Sequence, residues 1–300
     1  MWKPTALFLA LTALLSTVFY VVINATGSPA PWVLGLMWMP ALAAVLTCTI
    51  LRRPLRFLGG SRWSGPFAVI AYIVPVLYGL AIYALVWVTG IGGFPKLDSV
   101  DAFAQTAGLE SSSEATRIVL FIVVNAAVGT ITGLLAAMGE ELGWRGFLVP
   151  ELYRSMGFVG VAIVSGVIWA AWHYAIVGVV YPDVELPLWY WMLMFSVAAA
   201  GVGTLAAWLR LRSASLWPPV ILHTSSNLWM QSILDPLTVY REGTDAVAGD
   251  LGIGIAAAGL VVAMIAILLR KHLPSSEEFE RLNGVPASLE DRLAPVPAVR

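Results

Sequence analysis

The sequence predicts an all-α, polytopic membrane protein with about eight transmembrane helices. Of its 300 residues, 59% are hydrophobic and 12% are charged, and the mean hydropathy is +0.83. Soluble domains have about 25% charged residues, so this composition excludes that class. Apolar runs of about 20 residues, the length that crosses the hydrocarbon core of a bilayer, recur along the chain.

Each predicted helix corresponds to one apolar run, and short polar segments separate the runs. In order, the runs cover about residues 5–23, 33–51, 67–89, 117–139, 159–180, 188–209, 216–235 and 251–269. The first run exceeds the apolar core of about 7–15 residues in a secretory signal peptide, so we expect it to remain as an anchor. Prolines within the runs do not exclude helices, because neighbouring helices can satisfy the freed backbone groups. We therefore assign residues 1–272 to one membrane domain.

The rest of the chain indicates few partners outside the bilayer. Residues 273–300 are polar and contain prolines, and we expect them to form a poorly ordered cytoplasmic tail. The formal net charge is −1, which argues against nucleic acid as a partner. Cys48 is the one cysteine and lies in an apolar run, so we expect no disulfide within the chain. The lipid bilayer is the expected partner, and the sequence leaves the oligomeric state open.

Basic residues predict the orientation of the helices. With the N-terminus inside, Lys96, Arg117 and Arg241 fall outside, and the inner side carries Lys3, Arg52, Arg53, Arg56, Arg62, Arg145, Arg154, Arg210, Arg212, Arg270 and Lys271. Cytoplasmic loops of membrane proteins are enriched in Lys and Arg. We therefore expect both termini to be cytoplasmic.

Charged and strongly polar side chains inside the predicted helices are the first candidates for function. Placing a charge at the centre of a bilayer costs about 2.5–3.5 kcal/mol even on the most lenient scale. Such residues occur at the end of the fourth helix and within the fifth and seventh helices, namely Glu140, Glu141, Arg145, His173, His223 and Asn227. We therefore expect a site on helices 4, 5 and 7, within a core of about residues 117–235.

The spacing of Glu140, Glu141 and Arg145 separates the roles of the two adjacent carboxylates. Glu141 and Arg145 are four residues apart with the acid first, the favourable order for an ion pair on a helix. Glu140 projects about 100° away from Glu141. It is therefore left free for chemistry.

The same spacing pairs residues on the other two helices. His223 and Asn227 are four residues apart, so one helix face presents an imidazole and an amide together. Trp169 and His173 repeat this spacing. The indole is expected to exclude water and to limit the rotamers of the imidazole.

A carboxylate, two imidazoles and an amide are sufficient for a hydrolytic centre. Glu140 can take a proton from a water that His173 helps to hold, and His223 and Asn227 can donate hydrogen bonds to an oxyanion. The set of Glu140, His173 and His223 also matches a zinc site of two histidines and one carboxylate, and the residues alone do not decide between the two. We expect these side chains around one polar cavity that opens towards the cytoplasm or into the bilayer.

The predicted depths of two of these residues disagree. If helix 4 ends at residue 139, Glu140 lies at its cytoplasmic end. His173 lies about 14 residues into the next helix, or about 21 Å at about 1.5 Å per residue. A helix 4 that continues past Arg145, tilted helices, or a break near Pro150 would remove the disagreement.

Two other classes of protein also place ionisable residues in membrane helices. A transporter would do so, although the polar motifs do not recur here as an inverted repeat. A non-catalytic membrane scaffold or immunity protein would use the same residues for packing. Several known kinds of intramembrane protease fit poorly. The sequence has no HExxH motif, no glycine-flanked serine with a suitable histidine, and no pair of intramembrane aspartates.

Taken together, the motifs resemble those of the CPBP family of intramembrane proteases. This family groups type II CAAX prenyl endopeptidases with bacteriocin-processing and Abi-like self-immunity proteins of bacteria. Its motifs are EExxxR, an aromatic-xxxH and HxxxN on an eight-helix membrane core. Here they are, in the same order, Glu140-Glu141-x-x-x-Arg145, Trp169-x-x-x-His173 and His223-x-x-x-Asn227. Trp169 stands where many members have phenylalanine.

The resemblance implies an intramembrane endopeptidase in a bacterial plasma membrane, acting on a peptide or membrane protein that the sequence does not identify. It assigns water activation to Glu140 and His173, and the oxyanion hole to His223 and Asn227. It favours a glutamate-activated water without a cofactor over a zinc-dependent mechanism. The supporting residues are Glu141, Arg145 and Trp169.

The orientation can be tested with reporter fusions after Arg62, Glu110 and Arg212. We expect cytoplasmic signals after Arg62 and Arg212 and a non-cytoplasmic signal after Glu110, because the basic residues gather on one side. A cytoplasmic signal at Glu110 would overturn this orientation.

Overall fold

The structure, a computed structural model, describes residues 2–59, 62–182 and 186–283, and its regular secondary structure is helical. The one strand-like contact recorded for these residues is an isolated bridge between Gly93 and Val239. The helices are α1 (Lys3–Thr26), α2 (Val33–Met37), α3 (Met39–Ile50), α4 (Gly65–Val88), α5 (Asp98–Ala107), α6 (Glu114–Glu141), α7 (Val149–Tyr153), α8 (Phe158–His173), α9 (Val177–Val180), α10 (Leu188–Ser213), α11 (Trp217–Asn227), α12 (Thr244–Val247), α13 (Ile253–Leu268) and α14 (Ser276–Leu282).

Six of the predicted transmembrane helices are long and apolar enough to cross a bilayer, counted over the described residues. They are Lys3–Thr26, Val33–Ile50, Gly65–Val88, Glu114–Tyr153, Leu188–Ser213 and Ile253–His272. The fifth predicted helix is the shorter apolar α8. The seventh is α11 with a π-helical extension, Leu228–Leu234. The prediction of an all-α polytopic membrane protein is therefore confirmed.

The fourth predicted transmembrane helix, which begins with α6, is longer than the sequence predicted. A π-helical segment, Leu142–Leu148, joins α6 directly to α7, so that one helical element of 40 residues runs from Glu114 to Tyr153. The predicted end at residue 139 is wrong, because the charged residues that suggested an end are buried within the helix. Arg145 in particular is only 2% exposed and does not lie in a loop.

This continuation removes the disagreement in depth. Glu140 lies 13 residues before Tyr153, and His173 lies 15 residues after Phe158. At about 1.5 Å per residue, both are therefore about 20 Å from the connection between α7 and α8. The two side chains reach the same depth from one hairpin.

One end of the helix bundle, here called the basic end, is formed by residues 51–59, 154–157, 214–216 and 269–283. Contacts between these segments bring them together. Arg53 forms an ion pair of 2.5 Å with Glu151, and the backbone N–H of Leu216 donates to the carbonyl of Gly59 at 3.0 Å. The connections that the sequence assigned to the cytoplasm therefore lie at the same end.

The opposite end, here called the acidic end, is formed by residues 27–32, 89–113, 174–182 and 235–252. The N–H of Gly93 donates to the carbonyl of Val239 at 2.9 Å, and the Tyr190 hydroxyl donates to the carbonyl of Ala246 at 2.7 Å. The alternation of connections between the two ends agrees with the predicted topology. Which end faces the cytoplasm stays a prediction.

The segment after α13 differs from the expected poorly ordered tail over part of its length. Residues Ser276–Leu282 form the helix α14, and Phe279 is buried. An ion pair between Arg154 and Glu280 holds this helix to the basic end. The rest of the predicted tail, residues 284–300, lies outside the described residues.

Small residues bring α6 and α11 close together, which positions two of the motifs. A Cβ atom added to Gly133 would lie 2.8 Å from the side chain of Thr224, and one added to Gly129 would lie 2.5 Å from Leu228. Contacts this short exclude a larger side chain unless a neighbour moves. This close approach places His223, which precedes Thr224 on α11, beside the C-terminal end of α6.

Candidate active site

The structure brings the four predicted catalytic residues around one cavity. Glu140 of α6, His173 of α8, and His223 and Asn227 of α11 all line a cavity of about 210 Å³. A single water requires about 10–15 Å³ measured in this way. The cavity therefore has room for water beside part of a larger molecule.

Glu140 is buried but faces the cavity. Its Oε2 atom accepts a hydrogen bond of 2.7 Å from the indole N–H of Trp169. The same oxygen lies 4.0 Å from Nε2 of His173. This separation is too long for a direct hydrogen bond, but one water at about 2.8 Å from each atom can bridge it.

His173 is fixed by its own helix and by aromatic neighbours. Its Nδ1 atom lies 2.8 Å from the carbonyl oxygen of Trp169. A carbonyl can only accept, so Nδ1 carries the proton and Nε2 of the neutral ring is an acceptor. The rings of Trp172 and Phe195 pack against the imidazole at centroid distances of 4.8 and 5.1 Å. The acceptor nitrogen is thus directed towards Glu140.

Glu141 forms a buried junction between α6 and α11. Its Oε1 atom accepts from Arg145 at 2.7 Å and from Nδ1 of His223 at 3.0 Å. The first contact follows the spacing of four residues along one helix. The second joins two helices that are 82 residues apart in sequence, and the motif pattern gave no signal for it.

Trp169 contacts four of the charged or ionisable groups of the site, including Glu140. Its ring lies 4.4 Å from the Arg145 guanidinium carbon, in the geometry of a cation–π interaction. The centroid distances to the rings of His173 and His223 are 5.7 and 5.4 Å. Trp169 therefore orders Glu140, Arg145 and both imidazoles, whereas the sequence indicated only its contact with His173.

His223 and Asn227 lie one helical turn apart on the cavity side of α11. The bond to Glu141 occupies Nδ1 of His223, which leaves Nε2 for a ligand. Asn227 is partly exposed, and no hydrogen bond from its side chain is recorded to any other described residue. Both groups are therefore available to a molecule in the cavity.

The three residues that resemble a zinc site do not fit a zinc ion in this arrangement. Over the described residues, no group of three or more His, Cys, Asp and Glu side chains is placed to hold a metal ion. Oε2 of Glu140 also accepts from Trp169. A shared zinc would require these side chains to move.

A buried arginine that the sequence analysis did not select supports the π-helical segment. Val149 donates its N–H to the carbonyl of Trp144, five residues back. The next bond of this pattern would join residue 150 to the carbonyl of Arg145, but Pro150 has no N–H. Nε of Arg210 donates to that carbonyl instead, at 3.0 Å. The arginine in the last turns of the apolar α10 was the only sequence signal for this contact.

The cavity extends from the site towards the acidic end. Its lining continues from Glu140 through Val180 and Tyr181 to Gln231 and Asp250, and Gln231 is exposed. Among the described residues, none that lines the cavity belongs to the basic end, where the helical element Glu114–Tyr153 continues past the site. Whether the cavity opens towards the cytoplasm or into the bilayer stays a prediction.

A polar cluster that the sequence did not indicate lies at the far end of the cavity. Oδ2 of Asp250 accepts from the Tyr181 hydroxyl and from the Gln231 amide, each at 2.5 Å. Burial raises the pKa of the Asp250 carboxyl above its ordinary value, while the two hydrogen bonds act in the opposite direction. This cluster links three segments of the acidic end across the cavity lining.

The fold and the lining define an integral membrane protein that holds acid–base side chains in a cavity between its helices. Comparison with known proteins agrees with this class. Residues 117–229 match the family model described as type II CAAX prenyl endopeptidase Rce1-like. This stretch contains all three motifs.

A curated relative gives the same result. Over 160 residues the chain is 27% identical to CAAX prenyl protease 2 of Methanococcus maripaludis, an alignment that covers 52% of this chain and 54% of that protein. The chain thus spans about half the length of this relative. Both matches support the predicted resemblance to the CPBP family, which includes the type II CAAX prenyl endopeptidases.

Replacing Glu141 with Gln tests the buried junction. The substitution leaves Arg145 and His223 without a carboxylate, and breaking a buried ion pair on one side typically costs about 3–5 kcal/mol. We expect lower abundance and an earlier unfolding transition of the purified protein in detergent. Glu140→Gln is the matched control, because its amide oxygen can still accept from Trp169. Equal stability of the two variants would contradict a structural role for Glu141.

Proposed function

We propose that this protein is an intramembrane endopeptidase that hydrolyses a peptide bond with a water held between Glu140 and His173. The observation that carries the proposal is the gap of 4.0 Å between Oε2 of Glu140 and Nε2 of His173 at the cavity wall. The family of the matched segment, residues 117–229, supports the same activity.

In the proposed first step, the water attacks the carbonyl carbon of the scissile bond. Glu140 accepts one proton of this water, and Nε2 of His173 accepts a hydrogen bond from the other. Trp169 keeps the carboxylate in place through its indole N–H. The Glu140 side chain is 2% exposed, so little bulk water competes with the bound water for the carboxylate.

The second element of the proposal is an oxyanion hole formed by His223 and Asn227. For Nε2 of His223 to donate, the imidazole must be protonated at both nitrogens, since Nδ1–H already bonds to Glu141. Glu140 and Glu141 then balance the positive charges of Arg145 and His223. The Asn227 amide supplies the second donor to the tetrahedral intermediate.

Collapse of the intermediate completes the proposed reaction. Glu140 transfers the proton it received to the leaving nitrogen, the carbon–nitrogen bond breaks, and the carboxylate is regenerated. A new carboxyl and a new amino end are the products. No step requires a covalent bond to the protein or a metal ion.

The proposed substrate is a peptide or a membrane protein that places an extended segment in the cavity. The lining beside the polar residues is mainly apolar and includes Leu36, Ile176 and Phe195. Side chains of this kind contact an apolar segment without leaving polar groups unpaired. The matched relative is named for CAAX prenyl substrates, and for this chain we propose only the broader class.

Replacing Glu140 with Gln tests the catalytic base. The amide cannot accept the proton of water, so we expect cleavage of a peptide library by the reconstituted protein to be lost. Abundance should stay unchanged, because the volume and the bond from Trp169 are retained. Glu110→Gln, a change at an exposed residue of the acidic end, is the matched control. Full activity of Glu140→Gln would refute the mechanism.

A chelator provides the second arm of this experiment. We expect cleavage to continue after chelation. Loss of cleavage on chelation, with recovery on added zinc, would contradict the metal-free mechanism. It would leave Glu140, His173 and His223 as the site.

Replacing Asn227 with Ala tests the oxyanion hole. Loss of one donor is expected to lower kcat by roughly 10²–10³-fold with a small effect on KM, since the bond forms mainly in the transition state. Ser226→Ala is the matched control, because Ser226 lies beside Asn227 on the cavity wall and bonds to Tyr78. A change confined to KM would assign Asn227 to substrate binding instead.

A further inference from the structure

Arg210 of α10 is a buried cation with neutral hydrogen-bond acceptors. Its Nε atom donates to the Arg145 carbonyl at 3.0 Å, and its Nη2 atom donates to the Phe57 carbonyl at 3.1 Å and to Oδ1 of Asn283 at 3.0 Å. Its Nη1 atom is buried and has no hydrogen-bond partner among the described residues. Because a buried charge is costly unless it is fully paired, this side chain stays buried only while its surroundings exclude water.

The helix α14 and the residue after it form part of these surroundings. The ring of Phe279 lies 4.9 Å from the guanidinium carbon of Arg210, within reach of a cation–π interaction. Asn283 supplies the amide oxygen that accepts from Nη2. Both residues are buried. The docked α14 therefore covers the guanidinium on one side.

The same segment is attached to the end of the helical element Glu114–Tyr153. The Tyr153 hydroxyl donates to the carbonyl of Pro274, shortly before α14, at 2.8 Å. The segment therefore meets this element directly at its end. Through Arg210 it also meets the element in the π-helical segment.

The carbonyl that Arg210 holds belongs to the residue that supports both carboxylates. The Arg145 side chain donates to Glu141 at 2.7 Å and lies over the ring of Trp169. The indole N–H of Trp169 in turn donates to Glu140. A shift of the backbone at Arg145 therefore moves the supports of both acids, and a misplacement of about 1 Å can lower a rate by about 10²-fold.

We propose that Phe279 and Asn283 are positioning residues for the site and that they act through Arg210. While α14 is docked, Arg210 holds the Arg145 carbonyl and the π-helical segment keeps its geometry. When α14 is displaced, water reaches the guanidinium and competes for its N–H groups, so the Arg145 carbonyl loses its donor. The effect on turnover rests on the proposed function, whereas the coupling of α14 to the π-helical segment does not.

Hydrogen–deuterium exchange of the full-length protein in detergent measures this coupling. Asn283→Ala removes the amide that accepts from Arg210, and Phe279→Leu removes the ring but keeps an apolar side chain. Glu278→Gln, on the exposed face of the same helix, is the matched control. We expect faster exchange in α14 and in residues 142–150 for the first two variants, unchanged exchange in α4, and no change for the control.

Two results of the exchange experiment would overturn the proposal. One is unchanged exchange in residues 142–150 when α14 itself exchanges faster, or when neither segment changes. The other is an equal acceleration in α4, which would reduce the effect to a general loss of stability.

Turnover of the same variants measures the consequence for the site. We expect Asn283→Ala and Phe279→Leu to lower kcat by roughly tenfold with little change in KM, because the misplaced groups are those that act on the water and not those that hold the substrate. Glu278→Gln should retain the kcat of the parent protein. A change confined to KM would overturn the positioning role.

Exchange measures coupling and not cleavage, which separates the two proposals. A parent protein that cleaves no peptide, with exchange that changes as expected, would refute the endopeptidase and keep the coupling. An active parent protein whose Asn283→Ala and Phe279→Leu variants retain its kcat would refute the positioning role and keep the Glu140 mechanism.

Discussion

The site depends on one buried carboxylate, that of Glu141, which accepts hydrogen bonds from both Arg145 and His223. A charge buried in a membrane protein is tolerated only when it is paired. Here the pairing also fixes geometry, because Arg145 lies on the same helical element and His223 on α11. Gly203 of α10 gives Arg145 the space it needs, since an added Cβ would lie 2.8 Å from its guanidinium.

With Glu141 committed to this junction, the neighbouring Glu140 is free to face the cavity. The helix must continue through both residues for this division to hold. It does so by widening into a π-helical segment, and the carbonyl left over at Arg145 is satisfied by Arg210. Trp169 then completes the arrangement by bonding to Glu140 and stacking on Arg145. The two adjacent acids differ in role because their neighbours differ.

Contacts within one helix could be predicted from the sequence, and contacts between helices could not. The spacing of four residues indicated the Glu141–Arg145 pair and the contact of Trp169 with His173. Nothing in the spacing links Glu141 to His223 or Arg210 to the Arg145 carbonyl. The end of the fourth predicted transmembrane helix was mispredicted because hydropathy treats charged residues as a boundary. Glu141 and Arg145 instead neutralise each other inside the helix.

Cleavage in ¹⁸O-labelled water under single-turnover conditions tests the central claim most directly, namely that Glu140 activates a water and does not attack the substrate itself. The account predicts one ¹⁸O atom in the new carboxyl of the product after the first turnover and no label in Glu140. Mass spectrometry of the product and of the Glu140 peptide measures both. Unlabelled product in the first turnover, with ¹⁸O in the Glu140 carboxylate, would contradict it.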